Sequence, residues 1–162
     1  MAFPLVAPRC FFWAILATSA GALAFALISQ YGFGFEPCLL CRYQRIPYWT
    51  AIALSAAALT VPGVDRRGVA WLVCAIFASG SVLAFYHVGV EQHWWQAGAC
   101  AAQGNFPMSF EAFRDQPIAS LGKSCDSIDW TLFGLSMAAY NATLSAVLAL
   151  GAAYAARSMV RG

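Results

Sequence analysis

The residues whose types and spacing can do chemistry are Cys38 and Cys41, in the stretch Glu36-Pro37-Cys38-Leu39-Leu40-Cys41-Arg42-Tyr43-Gln44-Arg45. Two thiols separated by two residues can close a small disulfide ring, and such rings exchange readily with other thiols. Two intervening residues constrain little chain, so a purely structural role is the weaker reading. Cys41 is expected near the start of a helix, where unpaired N–H groups favour a thiolate. Arg45 follows four residues later and would share its helix face. Its cation can stabilise that thiolate and negative charge developing on a bound oxidant; the plainer role is an anchor reaching the lipid headgroups. Phe35, Tyr43, Tyr48 and Trp49 surround the pair in sequence and offer flat apolar surface for a ring. His87, expected at a similar depth, can offer a hydrogen bond or proton to an oxygen of such an oxidant. His93 reads as an interfacial residue.

The chain holds six cysteines. Cys38, Cys41, Cys100 and Cys125 fall on one side of the expected membrane segments, and Cys10 and Cys74 lie toward the other, where they read as small apolar residues or idle thiols. Four cysteines allow three pairings. Cys38–Cys41 with Cys100–Cys125 is favoured, because the first pair is local and the second closes a single loop. Closing about 25 residues stabilises by about 3 kcal/mol, so a structural role for Cys100–Cys125 stays open. A zinc site is disfavoured: the second pair lacks the short repeated spacing of structural zinc ligands. No metal is expected.

These residues need elements to hold them. The chain has 162 residues, 61% hydrophobic and only 10% charged, against about 25% charged in a soluble domain. This composition predicts an all-α integral membrane protein of one domain, residues 1–162. A net charge of +2 gives no footing for nucleic acid, and no phosphate-binding loop or serine nucleophile elbow is present. Four stretches lack Asp, Glu, Lys and Arg: Cys10 to Phe35, Ile46 to Val64, Gly68 to Val90 and Trp130 to Ala156. They predict a bundle of four transmembrane helices, with spans near 11–31, 42–61, 69–89 and 131–155. Pro47 falls in the first turns of the second, where a missing N–H costs least. The first run exceeds the usual signal-peptide core and has a poor cleavage site, so it reads as a retained helix.

Arg9, Arg66, Arg67, Arg157 and Arg161 are expected on the inner side, with both termini cytoplasmic. Six of the seven acids (Glu36, Glu91, Glu111, Asp115, Asp126 and Asp129) then lie outside. Two outer loops result. The first, about 32–41, carries Cys38 and Cys41. The second, about 90–130, carries Cys100 and Cys125, and its segment Met108 to Arg114 predicts a short surface helix between Pro107 and Pro117.

Pro37 to Arg45, the four spans, the later cysteine pair and the block Cys125-Asp126-Ser127-Ile128-Asp129-Trp130-Thr131-Leu132-Phe133-Gly134-Leu135-Ser136-Met137 closely resemble the DsbB family of bacterial inner-membrane disulfide bond formation proteins. The resemblance covers nearly the whole chain. A DsbA–DsbB–quinone chain keeps the bacterial periplasm oxidising. The resemblance therefore implies a thiol:quinone oxidoreductase with both cysteine pairs periplasmic. In that scheme a reduced DsbA-like partner attacks Cys100, and Cys125 passes the electrons to Cys38. Cys41 is then released beside Arg45 and hands them to ubiquinone or menaquinone. Gln44 departs from the pattern, because an acid is common at this position in relatives.

Two other readings fit the sequence less well. In enzymes related to vitamin K epoxide reductase the quinone-side pair comes late in the chain, whereas here it precedes the second span. A scaffold or small transporter with structural disulfides would need a polar path, and Asn141 is the only markedly polar non-histidine side chain deep in the last span.

Overall fold

The computed structural model describes residues 8–95, 123–128 and 130–159. The described chain is mostly helical. Helix α1 spans Pro8–Phe33, α2 Leu39–Tyr43, α3 Ile46–Thr60 and α4 Arg66–Glu91. A two-stranded hairpin, β1 (Thr131–Leu132) and β2 (Leu135–Ser136), leads into α5 (Met137–Ser158). The expected surface helix at 108–114 and Cys100 lie outside the described residues.

Three helices, α1, α4 and α5, are long and apolar enough to cross a membrane. α3 has 15 residues, about 22 Å at the helical rise, against a hydrocarbon core of about 30 Å. The expected second span is thus two pieces. A break at Gln44 and Arg45 separates α2 from α3, and Pro47 sits in the first turn of α3. The last span begins later than 131, because Phe133 and Gly134 both take positive φ (51° and 78°) and close a tight hairpin. Thr131 pairs with Ser136 and Leu132 with Leu135. Turns with two positive φ angles match the twist of the strands they join.

Helix ends are set by local chemistry. Gly34 takes φ +74° after α1, and the Phe35 N–H reaches back to the Ser29 carbonyl. Asp65 caps α4 by accepting from the Arg67 N–H at 3.0 Å. The Arg66 Nε donates to the Ala58 carbonyl near the end of α3.

α4 packs along α5 and α1 along α3, with α3 also against α4. Phe12, Val73 and Phe77 are fully buried among Ala51, Ala58, Ala70, Ala152 and Ala156. Small residues at such crossings let helices approach closely without hydrophobic drive from lipid. At Gly80 an added Cβ would lie 3.0 Å from the Pro47 ring, so glycine here brings α4 against the start of α3. Tyr48 meets Phe77 edge-on, with centroids 5.4 Å apart. Ile28, Val82, Phe85, Val147 and Leu150 point outward, as expected of a lipid-facing surface. Cys10 is exposed and Cys74 half-buried, both as free thiols.

Candidate functional site

The chemistry gathers where α2 meets the end of α4. Cys38 is the N-cap of α2: its sulfur accepts from the Cys41 N–H at 3.2 Å. The sequence places the helix start nearer Cys41. The structure instead gives the capping role to Cys38, so the sulfur receiving the helix's first N–H bond is Cys38. The two sulfurs lie 2.9 Å apart, and both are free thiols. Sharing one proton divides the pair. The hydrogen bond with the Cys41 thiol, helped by His87 and opposed by burial, holds Cys38 far below the ordinary thiol range, at about 4. The sulfur held down here is Cys38, the helix cap, whereas the sequence favours a thiolate on Cys41.

Cys125 is fully buried and disulfide-bonded. The Cys38 and Cys125 sulfurs and a His87 ring nitrogen all lie within 4.8 Å of one another. Three such groups are a possible metal set, but a thiolate is the ligand form of cysteine, and the Cys125 sulfur is committed to a disulfide. A disulfide beside a free thiol is instead the geometry of exchange, which proceeds by thiolate attack on sulfur.

His87 lies near the end of α4 and is 3% exposed. Its Nε2 sits 3.6 Å from the Cys38 sulfur and 3.9 Å from a Glu91 carboxyl oxygen one turn on. Its Nδ1 is 2.8 Å from the Gln44 side-chain nitrogen. The Asn141 amide donates to the Gln44 oxygen at 2.7 Å, and the Tyr48 hydroxyl donates to the Asn141 oxygen at 2.5 Å. Glu91 accepts from the Ser136 hydroxyl, and the same hydroxyl caps α5 by accepting from the Ala139 N–H. Buried polar groups in an apolar bundle need such partners.

Arg45 sits at the break between α2 and α3, and its Nη1 donates to the Gln30 side chain of α1 at 2.7 Å. Arg45 borders a cavity of about 410 Å³. Its walls include Phe25, Phe35, Tyr48 and Trp130, with Cys38, Cys41, Arg45 and His87 reaching it. An apolar cavity with a few convergent polar groups is the usual form of a small-molecule site. Of the four aromatics expected to offer ring surface, Phe35 and Tyr48 line it. Tyr43 and Trp49 face outward, at 48% and 55% exposure.

Of the residues singled out in the sequence, Cys38, Cys41, Arg45 and His87 line one cavity, Cys125 lies beside Cys38 and His87, and Cys100 lies outside the described residues. Sequence reasoning missed Gln30, Glu91 and Ser136 as partners. Glutamine, glutamate and serine at helix ends carry no periodic signal, and only their pairing across elements gives them a role. Asn141 did carry one, as an isolated amide in an apolar span.

Comparison with known proteins gives a consistent result. The family model for disulfide bond formation protein DsbB matches residues 8–155. A Disulfide bond formation protein B from Haemophilus influenzae is 33% identical over 131 residues, covering 78% of this chain and 74% of its own. One from Aromatoleum aromaticum is 33% identical over 152 residues, covering 88% and 90%. One from Xanthomonas campestris is 34% identical over 144 residues, covering 84% and 83%. No solved structure matches the chain.

Proposed function

The chain belongs to the DsbB family of disulfide bond formation proteins, and on that premise we propose that it is a membrane thiol:quinone oxidoreductase that reoxidises a periplasmic DsbA-like dithiol oxidase. Its role in disulfide bond formation follows from the family. The finer steps rest on one observation: the Cys125 sulfur, the Cys38 sulfur and the His87 ring lie within 4.8 Å at the edge of an apolar cavity. A protein-facing disulfide and a lipid-facing dithiol are thus within reach of a single exchange step.

The proposed sequence balances as follows. A thiolate of the partner attacks Cys100 of a Cys100–Cys125 disulfide, forming a mixed disulfide and releasing the Cys125 thiolate. The partner's second thiol resolves the mixed disulfide, leaving the partner oxidised and Cys100 reduced. Cys125 attacks Cys38 of the Cys38–Cys41 disulfide and frees Cys41. Cys100 then attacks Cys125, which restores the outer disulfide and releases Cys38. Each hop is thiolate attack on a disulfide and requires contact.

A quinone fits the cavity by size, apolar lining and the cation at its rim. When bound, it supplies a two-electron, two-proton sink for the Cys38–Cys41 dithiol. Arg45, held by Gln30, places positive charge beside that ring site, and Phe35 and Tyr48 bound it. The fourth span, formed by α2 and α3 together, and a topology with both termini cytoplasmic and the cysteine pairs periplasmic belong to the same proposal.

The test mixes the purified protein with a reduced thioredoxin-like oxidase and a soluble quinone, and counts partner thiols lost and quinol formed. One quinol per two thiols supports the reading. Absence of thiol-dependent quinol with intact protein would support a scaffold instead.

A further inference from the structure

We infer that Tyr48, Asn141 and Gln44 form a polarised hydrogen-bond chain that fixes His87 as its Nε2–H tautomer, making it a standing donor to the Cys38 sulfur and not a base for it. The inference rests on the proposed relay for its consequence, but not for its geometry.

The direction of the chain follows from its far end. The Tyr48 oxygen and the Asn141 side-chain atom it meets are 2.5 Å apart. That length is at home in O–H···O bonds and short of the N–H···O range. The phenol therefore donates, and the Asn141 atom is its oxygen. The Asn141 nitrogen must then face Gln44 and donate to the Gln44 oxygen, at 2.7 Å. This leaves the Gln44 nitrogen toward His87 Nδ1, at 2.8 Å. An amide nitrogen can only donate, so Nδ1 accepts and carries no proton.

The other side of the ring agrees independently. Nε2 faces the Cys38 sulfur at 3.6 Å and a Glu91 carboxyl oxygen at 3.9 Å. With Cys38 a thiolate and Glu91 a carboxylate, both are acceptors, so a bare Nε2 lone pair would oppose two others in a buried site. In histidine the proton on one nitrogen is set by the bond the other makes, and here both bonds require the proton on Nε2.

This has a chemical consequence. Neutral His87 has its only lone pair occupied by Gln44, so it cannot take the Cys38 proton. It can stabilise Cys38 as a departing thiolate. In the relay this matters when Cys100 attacks Cys125 in the Cys38–Cys125 mixed disulfide: the Cys125–Cys38 bond breaks and the electron pair goes to Cys38. A better-stabilised leaving thiolate departs faster. Gln44, Asn141 and Tyr48 act through His87 and are positioning residues. An ionised acid at position 44 could only accept, and would call for the opposite tautomer, so this arrangement depends on the amide of Gln44.

The test is nitrogen NMR of full-length protein with labelled histidine in detergent, with the inner pair reduced and no partner or quinone added. A His93→Gln variant separates the two histidine signals. The expected result is a bare Nδ1 and a protonated Nε2 on His87 at neutral pH. In Asn141→Asp the Gln44 amide must turn to donate to the new carboxylate, and the His87 proton moves to Nδ1, although residue 141 does not touch the ring. Release of Cys38 from a preformed Cys38–Cys125 mixed disulfide then slows by about tenfold, for loss of one hydrogen bond to a charged sulfur. Tyr48→Phe removes the terminal donor more gently and should let both tautomers appear. A wild-type His87 protonated on Nδ1, or on both nitrogens, overturns the inference, as does a tautomer unmoved in Asn141→Asp and Tyr48→Phe. These signals are read without turnover, so failure of the quinol assay would remove the relay and leave the tautomer result standing.

Discussion

The Cys125 sulfur, which belongs to a disulfide, lies within 4.8 Å of the Cys38 sulfur, which is a free thiol. These residues are 87 positions apart in sequence (125 minus 38), and they come from the segment before the β hairpin and from the cap of α2. In the proposed relay, contact between them joins the pair that meets the partner to the pair that meets the quinone. The inner pair sits at a helix start: the Cys41 N–H donates to the Cys38 sulfur at 3.2 Å, and the two sulfurs lie 2.9 Å apart.

That capping arrangement predicts a pH signature. Cys38 is held down at about 4. As pH falls from 8, Cys38 should remain a thiolate until the pH approaches 4. Ultraviolet thiolate absorbance of the protein with its inner pair reduced, minus that of Cys38→Ser, should be flat between pH 8 and pH 6 and fall only in acid. A difference signal that titrates near 9, the ordinary thiol value, would remove the stabilised thiolate from the account.

Arg45 is tied to Gln30 at the rim of the cavity. Arg45→Ala should raise the apparent KM for quinone by about tenfold, the scale of one charge-assisted hydrogen bond, with a smaller effect on the rate at saturation. Gln30→Ala should move KM in the same direction by less, because it frees the guanidinium without removing it. Unchanged quinone kinetics in Arg45→Ala would take this residue out of the site.

Gly80 faces the Pro47 ring across the α3–α4 contact. Gly80→Ala forces its Cβ to within 3.0 Å of Pro47 Cγ, and overpacking of this kind costs about 1–3 kcal/mol. Thermal unfolding in detergent should show a lowered Tm. An unshifted Tm would mean that the two helices do not meet here as described.

Much of this was legible in the sequence, and the misses have physical causes. Long charge-free runs gave α1 and α4 because lipid leaves the backbone few options. The same logic overextended the second and last spans. Hydropathy does not register the break at Gln44 and Arg45, nor a hairpin whose turn is Phe133-Gly134 instead of the commoner Asn-Gly. The Cys-x-x-Cys spacing identified the reactive pair, yet not which sulfur caps the helix, since that depends on one residue of register. The polar chain from Tyr48 to His87 was beyond reach, because its members come from α3, α5, the α2–α3 break and α4. Asn141 alone looked like too little for a transport path, and its partners show what the amide is for.

Cys10 and Cys74 are free thiols away from the cavity. The double variant Cys10→Ser, Cys74→Ser should keep partner oxidation within about twofold of the parent, as substitutions away from a site usually do. A large loss in a folded double variant would show a second thiol route.

The contact between Cys38 and Cys125 is tested most directly by removing the thiol that competes for it. In Cys41→Ala, Cys38 is a lone thiol beside the Cys100–Cys125 disulfide. With no partner or quinone added, its thiolate should attack Cys125 and release the Cys100 thiol. The resulting Cys38–Cys125 disulfide is visible as a linked peptide by non-reducing mass spectrometry and lost on reduction. The account predicts that this species accumulates, and that it is absent when Cys125 is also replaced. If Cys41→Ala instead leaves Cys38 a free thiol and the outer disulfide unexchanged, the two sulfur sites are not one relay.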